Sequence, residues 1–249
     1  MEVAFDNEKY LKIQKEKIEE RIKMFDNKLY LEFGGKSFSA TTNKVCEIPL
    51  DDFTAWTPET PQLYEFSVTL GEDNINSYFA MRSFSVEKDE SGIMRLFLNG
   101  KPYFHNGLLD QGYFSDGIYT PANPLMYDED IKAMKSLGFN PLRKHIKVEC
   151  DRWYYYCDKY GMLVWQDMMS GGAYIGDLIA GVLPMFYVPM KDNQYKKFSR
   201  EKKEWRDDYE RELYEVIDAL YNVPSICCWV PFNEGWGQFD AYRIGNAVK

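Results

Sequence analysis

Asn233 and Glu234 stand side by side where an apolar run of strand length, residues 226–232, comes to an abrupt end. In parallel α/β sheets and barrels, reacting groups gather at the C-terminal ends of strands. A carboxylate in that place, beside an apolar wall, can hold a proton at neutral pH and deliver it as a general acid. The plainer alternative is a carboxylate at a helix N-terminus that only complements the helix dipole. Other polar groups follow similar runs. Arg143, Lys144 and His145 fall near the end of the segment 139–146. Arg143 at a strand end can keep a neighbouring carboxylate ionised, or it can serve as a structural ion pair. Gln166 and Asp167 follow Met162-Leu163-Val164-Trp165, and Asp110 and Gln111 follow Leu109. Trp236 offers an aromatic face just beyond Glu234.

Periodicity supplies the elements that must hold these groups. Up to about residue 87 the chain reads as β structure: Leu29, Leu31 and Phe33 alternate, then Phe66, Val68 and Leu70, then Phe84 and Val86. Residues 8–23 are ambiguous, with a strand-like Lys9-Tyr10-Leu11-Lys12-Ile13 beside a helical spacing of Ile18 and Ile22. From Gly92 the pattern changes. Leu96-Phe97-Leu98-Asn99-Gly100-Lys101-Pro102-Tyr103-Phe104 predicts a hairpin, because Asn-Gly suits the positive φ angles of a tight turn. Residues 104–109 then enter a first barrel strand, residues 128–137 form a helix stopped by Gly138, and residues 139–146 form a second strand. Residues 151–160 predict a short helix closed by Gly161, and residues 162–165 a third strand. Residues 200–221 give the clearest helix, with Trp205, Tyr209, Leu213, Val216 and Leu220 on one face, and residues 226–232 the fourth strand. Four strand–helix steps are half of a (β/α)₈ barrel, which takes about 250 residues by itself.

Composition removes several function classes. A net charge of -9 argues against nucleic acid, which demands a basic surface. No apolar run approaches a membrane span; the longest weakly polar stretch, residues 174–190, is broken by Asp177 and Pro184. Met1-Glu2-Val3-Ala4-Phe5-Asp6 does not read as a signal peptide. Five cysteines without ligand spacing suggest reduced thiols, with Cys227 and Cys228 filling a buried strand. His105 and His145 are the only histidines and form no metal motif, so no metal and no cofactor are expected. Gly34-Gly35-Lys36-Ser37 matches the end of a phosphate loop, but Tyr30 stands where the first glycine is required. Gly-x-Ser-x-Gly is absent, which removes an esterase elbow. An aromatic content of 16% suits sugar platforms and large cores alike.

Asn222-Val223-Pro224-Ser225-Ile226-Cys227-Cys228-Trp229-Val230-Pro231-Phe232-Asn233-Glu234 resembles the acid/base signature of glycoside hydrolase family 2, the family of β-galactosidases, β-glucuronidases and β-mannosidases. Only Val223, in place of a histidine, departs from it. Asn140, Arg143, Asp158 and Gly161 fall in register with the family's other signature, although His145 sits one place early and Ile146-Lys147 replaces Tyr-Pro. Ala55-Trp56-Thr57-Pro58-Glu59-Thr60-Pro61-Gln62-Leu63-Tyr64 resembles part of the family's immunoglobulin-like sandwich, and Ser77-Tyr78-Phe79-Ala80-Met81-Arg82 its exit strand.

The resemblance implies an α/β plus β chain. Residues 1–87 would be a partial immunoglobulin-like β-sandwich, incomplete at its start and without the family's sugar-binding domain. Residues 88–249 would be the N-terminal half of a (β/α)₈ TIM barrel, continued beyond Lys249 in a longer enzyme. The implied activity is a retaining, exo-acting O-glycosyl hydrolase, β-galactosidase-like, acting on terminal β-linked sugars. Glu234 is the implied acid/base and Asn233 the implied contact to the sugar 2-hydroxyl. The implied nucleophile is a second Glu beyond this chain, which leaves these residues catalytically incomplete, and missing strands would leave open sheet edges prone to aggregation or pairing. Arg143, His145, Asp167, Trp236, Asp110 and Gln111 are candidate substrate contacts. His145 stays open between a sugar contact and a structural hydrogen bond, Asp167 between a sugar hydroxyl and a loop or capping role, and Trp236 between a platform and loop packing. Residues 168–199 are expected to cover one side of the mouth. Leu109-Asp110-Gln111-Gly112-Tyr113 departs from the Asn-x-His-Glu of better-known members and suggests a different sugar. Carbohydrate and the remaining half of the barrel are the implied partners, with a homo-oligomer possible and no nucleic acid or membrane. Location in the cell is left open, since relatives occur in cytoplasm, periplasm and outside cells. Two rivals remain: a non-catalytic carbohydrate-binding barrel, and an endo-acting barrel glycosidase of another family.

Overall fold

The computed structural model describes residues 28–235 and 237–249; residues 8–23 and Trp236 lie outside the described residues. The chain divides into two compact units, Met1–Phe53 with Leu63–Phe79, and Thr54–Gln62 with Ala80–Lys249.

In the first unit, strands β1 (Lys28–Phe33), β2 (Lys36–Thr41), β3 (Tyr64–Leu70) and β4 (Asp73–Phe79) form an antiparallel sheet in the order β2-β1-β3-β4. Alternation puts Leu29, Leu31 and Phe33 on the more covered side of β1. Phe33, Tyr64 and Phe79 cluster there, with ring centroids 5.3 Å apart for Phe33–Phe79 and 5.4 Å for Tyr64–Phe79. Gly34 and Gly35, at φ 58° and 73°, make the two-residue turn between β1 and β2, so the glycines that mimic a phosphate loop are hairpin residues.

In the second unit, β5 (Phe84–Lys88), β6 (Met94–Leu98) and β7 (Lys101–Pro102) form a small antiparallel sheet, with Asn99 and Gly100 at φ 50° and 73° in the expected turn. Strands β8 (Leu108–Asp110), β9 (Pro141–Lys144), β10 (Leu163–Asp167) and β11 (Ile226–Val230) then build a parallel sheet in the order β11-β10-β9-β8. Helices α1 (Met126–Ser136), α2 (Asp151–Tyr160) and α3 (Lys203–Leu220) alternate with these strands, and α4 (Ala241–Ala247) follows β11. Within residues 168–199 there is a π-helical turn, Leu178–Val182, running into a helical turn, Leu183–Met185.

Period-two alternation sorts the strand residues onto two faces. Leu142, Val164 and Ile226 pack with Ile131, Trp153, Tyr154, Cys157 and Leu220 in one apolar cluster beneath the helices. Arg143 pairs in register with Trp165, on the opposite face. Burial of this sheet pushes the Cys227 and Cys228 thiols up, as suits space-filling side chains.

Several strands are shorter than the apolar runs suggest, each for a local reason. The first barrel strand, expected over residues 104–109, begins at Leu108, because the Asn140 side chain takes the Phe104 carbonyl and the Asn106 N–H (2.8 Å each). The fourth stops at Val230: Pro231 has no N–H to offer, and its carbonyl accepts from the Tyr209 hydroxyl. The second ends at Lys144, with Ile146 turned to φ 44°. The third runs on through Asp167.

The signature residues around the sheet are brackets. Buried Asp158 accepts the Ser225 N–H at 2.8 Å, and its carbonyl accepts from Trp56 Nε1 at 2.8 Å. Gly161 closes α2 at φ 71°, where a Cβ would come within 2.4 Å of the Pro58 carbonyl.

Candidate active site

The C-terminal ends of β8, β9, β10 and β11 deliver Asp110, Arg143, Asp167 and the Asn233–Glu234 pair to one rim of the parallel sheet. At its centre Arg143 donates from Nε to Asp167 Oδ1 at 2.8 Å and from Nη2 to Asp167 Oδ2 at 2.9 Å. The same Nη2 donates to Asn233 Oδ1 at 2.8 Å. Asp167 is fully buried, Asn233 nearly so, and the Arg143 side chain is partly exposed. The Asp167 hydrogen bonds raise the Arg143 pKa, so this cation is fixed at any working pH.

Guanidinium has donors only, so Asn233 must turn its oxygen toward Arg143. Its NH₂ group can meet a further partner only as a donor. Glu234 follows directly, exposed and at φ 58°, a backbone conformation uncommon outside glycine. Its charge acts on Arg143, so the carboxylate belongs to this constellation.

Asp110 and Gln111 are held differently. Asp110 accepts from Lys144 Nζ at 2.8 Å and from the Gly112 N–H at 2.9 Å. Gln111 Nε2 lies 3.3 Å from His145 Nδ1, so two of the candidates pair with each other. An amide donor on Nδ1 leaves the Nε2–H form of His145 free to donate elsewhere. The structure thus brings Arg143, Asp167, Asn233 and Glu234 into one group, and Gln111 with His145 into a second. Asp167 and Asp110 are each paired with a cation, Asp167 fully buried and Asp110 partly exposed. Trp236 lies outside the described residues.

The sequence reading missed a buried charge network behind this rim. Lys144 and Lys147 both reach Glu149 Oε1, at 3.0 and 2.7 Å, and all three are buried. Lys147 also donates to the Gly112 and Tyr119 carbonyls at 2.5 and 2.6 Å, fastening the segment that carries Gln111. Lys144 lies 4.2 Å over the Trp153 ring, and Tyr154 hydrogen-bonds Gln166 at 2.7 Å on the same side of the sheet. The available signal was Lys144-His145-Ile146-Lys147-Val148-Glu149, an unusually charged exit from a buried strand.

Comparison with known proteins bears on this arrangement. Residues 95–248 match the model for "Glycosyl hydrolases family 2, TIM barrel domain". Residues 3–46 match a different one, "Domain of unknown function DUF1846, N-terminal", and a 34-residue stretch is 65% identical to a UPF0371 protein of Streptococcus equi. The chain is similar to a β-galactosidase of Leuconostoc mesenteroides, 28% identical over 193 residues, covering 77% of this chain and 17% of the relative. It is also similar to a β-glucuronidase of Bacteroides fragilis, 24% identical over 181 residues, covering 71% of this chain and 23% of the relative. Among solved structures, a family 2 β-galacturonidase from Eisenbergiella tayi aligns with a TM-score of 0.61 at 21% identity, covering 83% of this chain and 34% of that one. β-Glucuronidase 3 of Bacteroides uniformis aligns with the same score at 19% identity, covering 89% and 26%. The chain therefore spans a sixth to a third of the lengths of these relatives.

Proposed function

This chain belongs to glycosyl hydrolase family 2, and from that membership we propose that it supplies the proton-donating side of a retaining, exo-acting hydrolase of terminal β-linked sugars. Glu234 is the general acid/base in this reading. The observation that carries it is the placement of Glu234 at the end of β11, directly after an asparagine whose amide is oriented by Arg143.

The chemistry runs in two steps. As the glycosidic C–O bond breaks, a nucleophilic carboxylate attacks the anomeric carbon, and Glu234 gives its proton to the departing oxygen. Glu234 then takes a proton from water, which attacks the same carbon and releases the enzyme carboxylate. Retention places the two carboxyl groups about 5–5.5 Å apart. Asp110 and Asp167 are engaged with Lys144 and Arg143, so the nucleophile is assigned to a glutamate elsewhere in the protein in which this chain works. Asn233 donates to the sugar 2-hydroxyl, and His145 and Gln111 present a second polar edge. Trp236 is assigned the role of an aromatic platform, while Asp167 and Asp110 act through the cations they hold. In architecture, residues 28–87 are read as part of a sandwich, and the four strand–helix steps as the first half of a (β/α)₈ barrel. The specific sugar, β-galactoside or a relative, is set by the departing Asp110–Gln111 segment.

The test is Glu234→Gln in the full-length protein, assayed on aryl β-glycosides. Loss of roughly 10²–10⁴-fold in kcat is expected on poor leaving groups, with a smaller loss on good ones and rescue by azide as the β-glycosyl azide. Undiminished hydrolysis would overturn the assignment. No hydrolysis by the full-length protein, with sugar binding retained, would favour a carbohydrate-binding barrel. Internal cleavage of polymers would favour an endo-acting one.

A further inference from the structure

Glu234 sits midway along residues 231–240, the connection from β11 to α4. Two non-glycine residues of this connection, Glu234 and Asp240, are at positive φ, 58° and 44°. Residues in that region persist only where the surrounding structure over-determines them. The connection must therefore be held from outside.

One pair of side chains holds it on both sides of Glu234. On the near side, Tyr209 of α3 donates from its hydroxyl to the Pro231 carbonyl, and its ring stacks on Phe232 with centroids 5.2 Å apart. On the far side, Arg200 donates from Nε to the Gly237 carbonyl at 2.9 Å, and its guanidinium lies 5.5 Å from the Phe239 ring. Arg200 itself lies 4.7 Å over the Tyr209 ring, so the two side chains form a single brace. Its points of attachment, Pro231 and Gly237, stand equally far along the chain from Glu234. Arg200 is 3% exposed and Tyr209 4%, so these bonds do not compete with bulk water.

The Gly237 peptide has little freedom left. Its N–H donates to the Phe198 carbonyl at 3.1 Å while its own carbonyl accepts from Arg200. At φ 74° a Cβ there would also come within 2.9 Å of the Gly171 carbonyl. A planar guanidinium suits this place, since its edge donates while its face packs on aromatic rings.

We propose that Arg200 is a positioning residue for the acid/base, acting through the Gly237 peptide to fix where Glu234 delivers its proton. The proposal rests on the reading of Glu234 as the proton donor. Arg200 touches no reacting atom. Its effect falls on the step in which the donor must stand at the departing oxygen, and that step matters most for a poor leaving group. A displaced Glu234 shows as a loss that depends on the leaving group, whereas a general loosening of the fold slows every substrate alike.

The experiment measures kcat/KM, which reports formation of the glycosyl-enzyme, on dinitrophenyl and methyl β-galactosides and β-glucuronides. The full-length protein is compared as wild type, Arg200→Gln, Arg200→Lys and Glu234→Gln. Arg200→Gln should lose about 100-fold on the methyl glycosides and about threefold or less on the dinitrophenyl ones. Arg200→Lys keeps a donor for the Gly237 carbonyl but not the planar face, and should lose about tenfold with the same selectivity. This arm decides if Arg200→Gln does not fold. Equal losses on both leaving groups in the Arg200 variants would overturn the proposal, as would unchanged kinetics. Glu234→Gln should show the selective loss at its largest; if it does and the Arg200 variants do not, only the positioning role falls. If Glu234→Gln cleaves methyl glycosides as wild type does, or wild type cleaves neither sugar, the acid/base reading falls and this proposal with it.

Discussion

Arg143 and Asn233, separated by ninety positions of chain, meet through one hydrogen bond of 2.8 Å from Nη2 to Oδ1. That bond decides which end of the amide meets Arg143 and leaves the other a donor. Because Asp167 grips the same guanidinium at two points, the orientation is passed from a fully buried carboxylate to a group next to Glu234.

Asp167→Asn should therefore harm activity more than its distance from the chemistry suggests. The variant keeps the shape but leaves Arg143 without its anion, and breaking a buried pair typically costs about 3–5 kcal/mol. A partly exposed Arg143 places the expectation at about 3 kcal/mol, read from urea unfolding. kcat/KM on aryl glycosides should fall about 100-fold as Asn233 loses its anchor. Unaltered kinetics would separate Asp167 from the site.

Asn233→Asp should fold well, since a carboxylate still accepts from Arg143, yet it removes the outward amide donors. Kinetics should show kcat falling about 100-fold on normal substrates, with a much smaller difference from wild type on 2-deoxy glycosides. Equal losses on both substrates would show that the amide does not meet the 2-hydroxyl.

Glu149→Gln removes the carboxylate shared by two buried lysines. A loss of about 3 kcal/mol is expected from uncompensated buried charge. Pairing it with Lys147→Met should recover part of this, because Lys144 keeps Asp110 and the second variant removes the lysine left without a carboxylate. A denaturant double-mutant cycle measures the recovery, and strict additivity would dissolve the network.

His105 accepts the Trp165 indole N–H through Nδ1 at 2.9 Å, and burial lowers its pKa. A depressed histidine favours its neutral form in the folded state. Its contribution is fully present above the unfolded value near 6.5 and is lost as pH falls through the lower folded value. Unfolding free energy measured from pH 7.5 to 5 should decline with acid, and less steeply in His105→Gln.

Much of the second unit was legible because its signals are local. Helix α2 begins and ends where expected, with Gly161 closing it in the left-handed conformation, and Asn99-Gly100 makes the turn its φ preference dictates. The strand ends were harder. Apolar runs over residues 104–109 and 226–232 say what can be buried, but the Asn140 side chain and the Tyr209 hydroxyl decide where ladder pairing stops. Both partners are distant in sequence.

From the residues alone came the alternation that makes the elements, the Asn233–Glu234 pair at a strand end, and the family signature that surrounds it. Partnership came from tertiary structure. In the chain Asp167 stayed open between a sugar contact and a loop role, and the fold pairs it with Arg143; Lys144, Lys147 and Glu149, which the sequence did not single out as a group, are buried together. Periodicity encodes which face a side chain takes, because that depends only on neighbours along the chain. Which charge neutralises which depends on distances across strands, and those exist only once the sheet has formed.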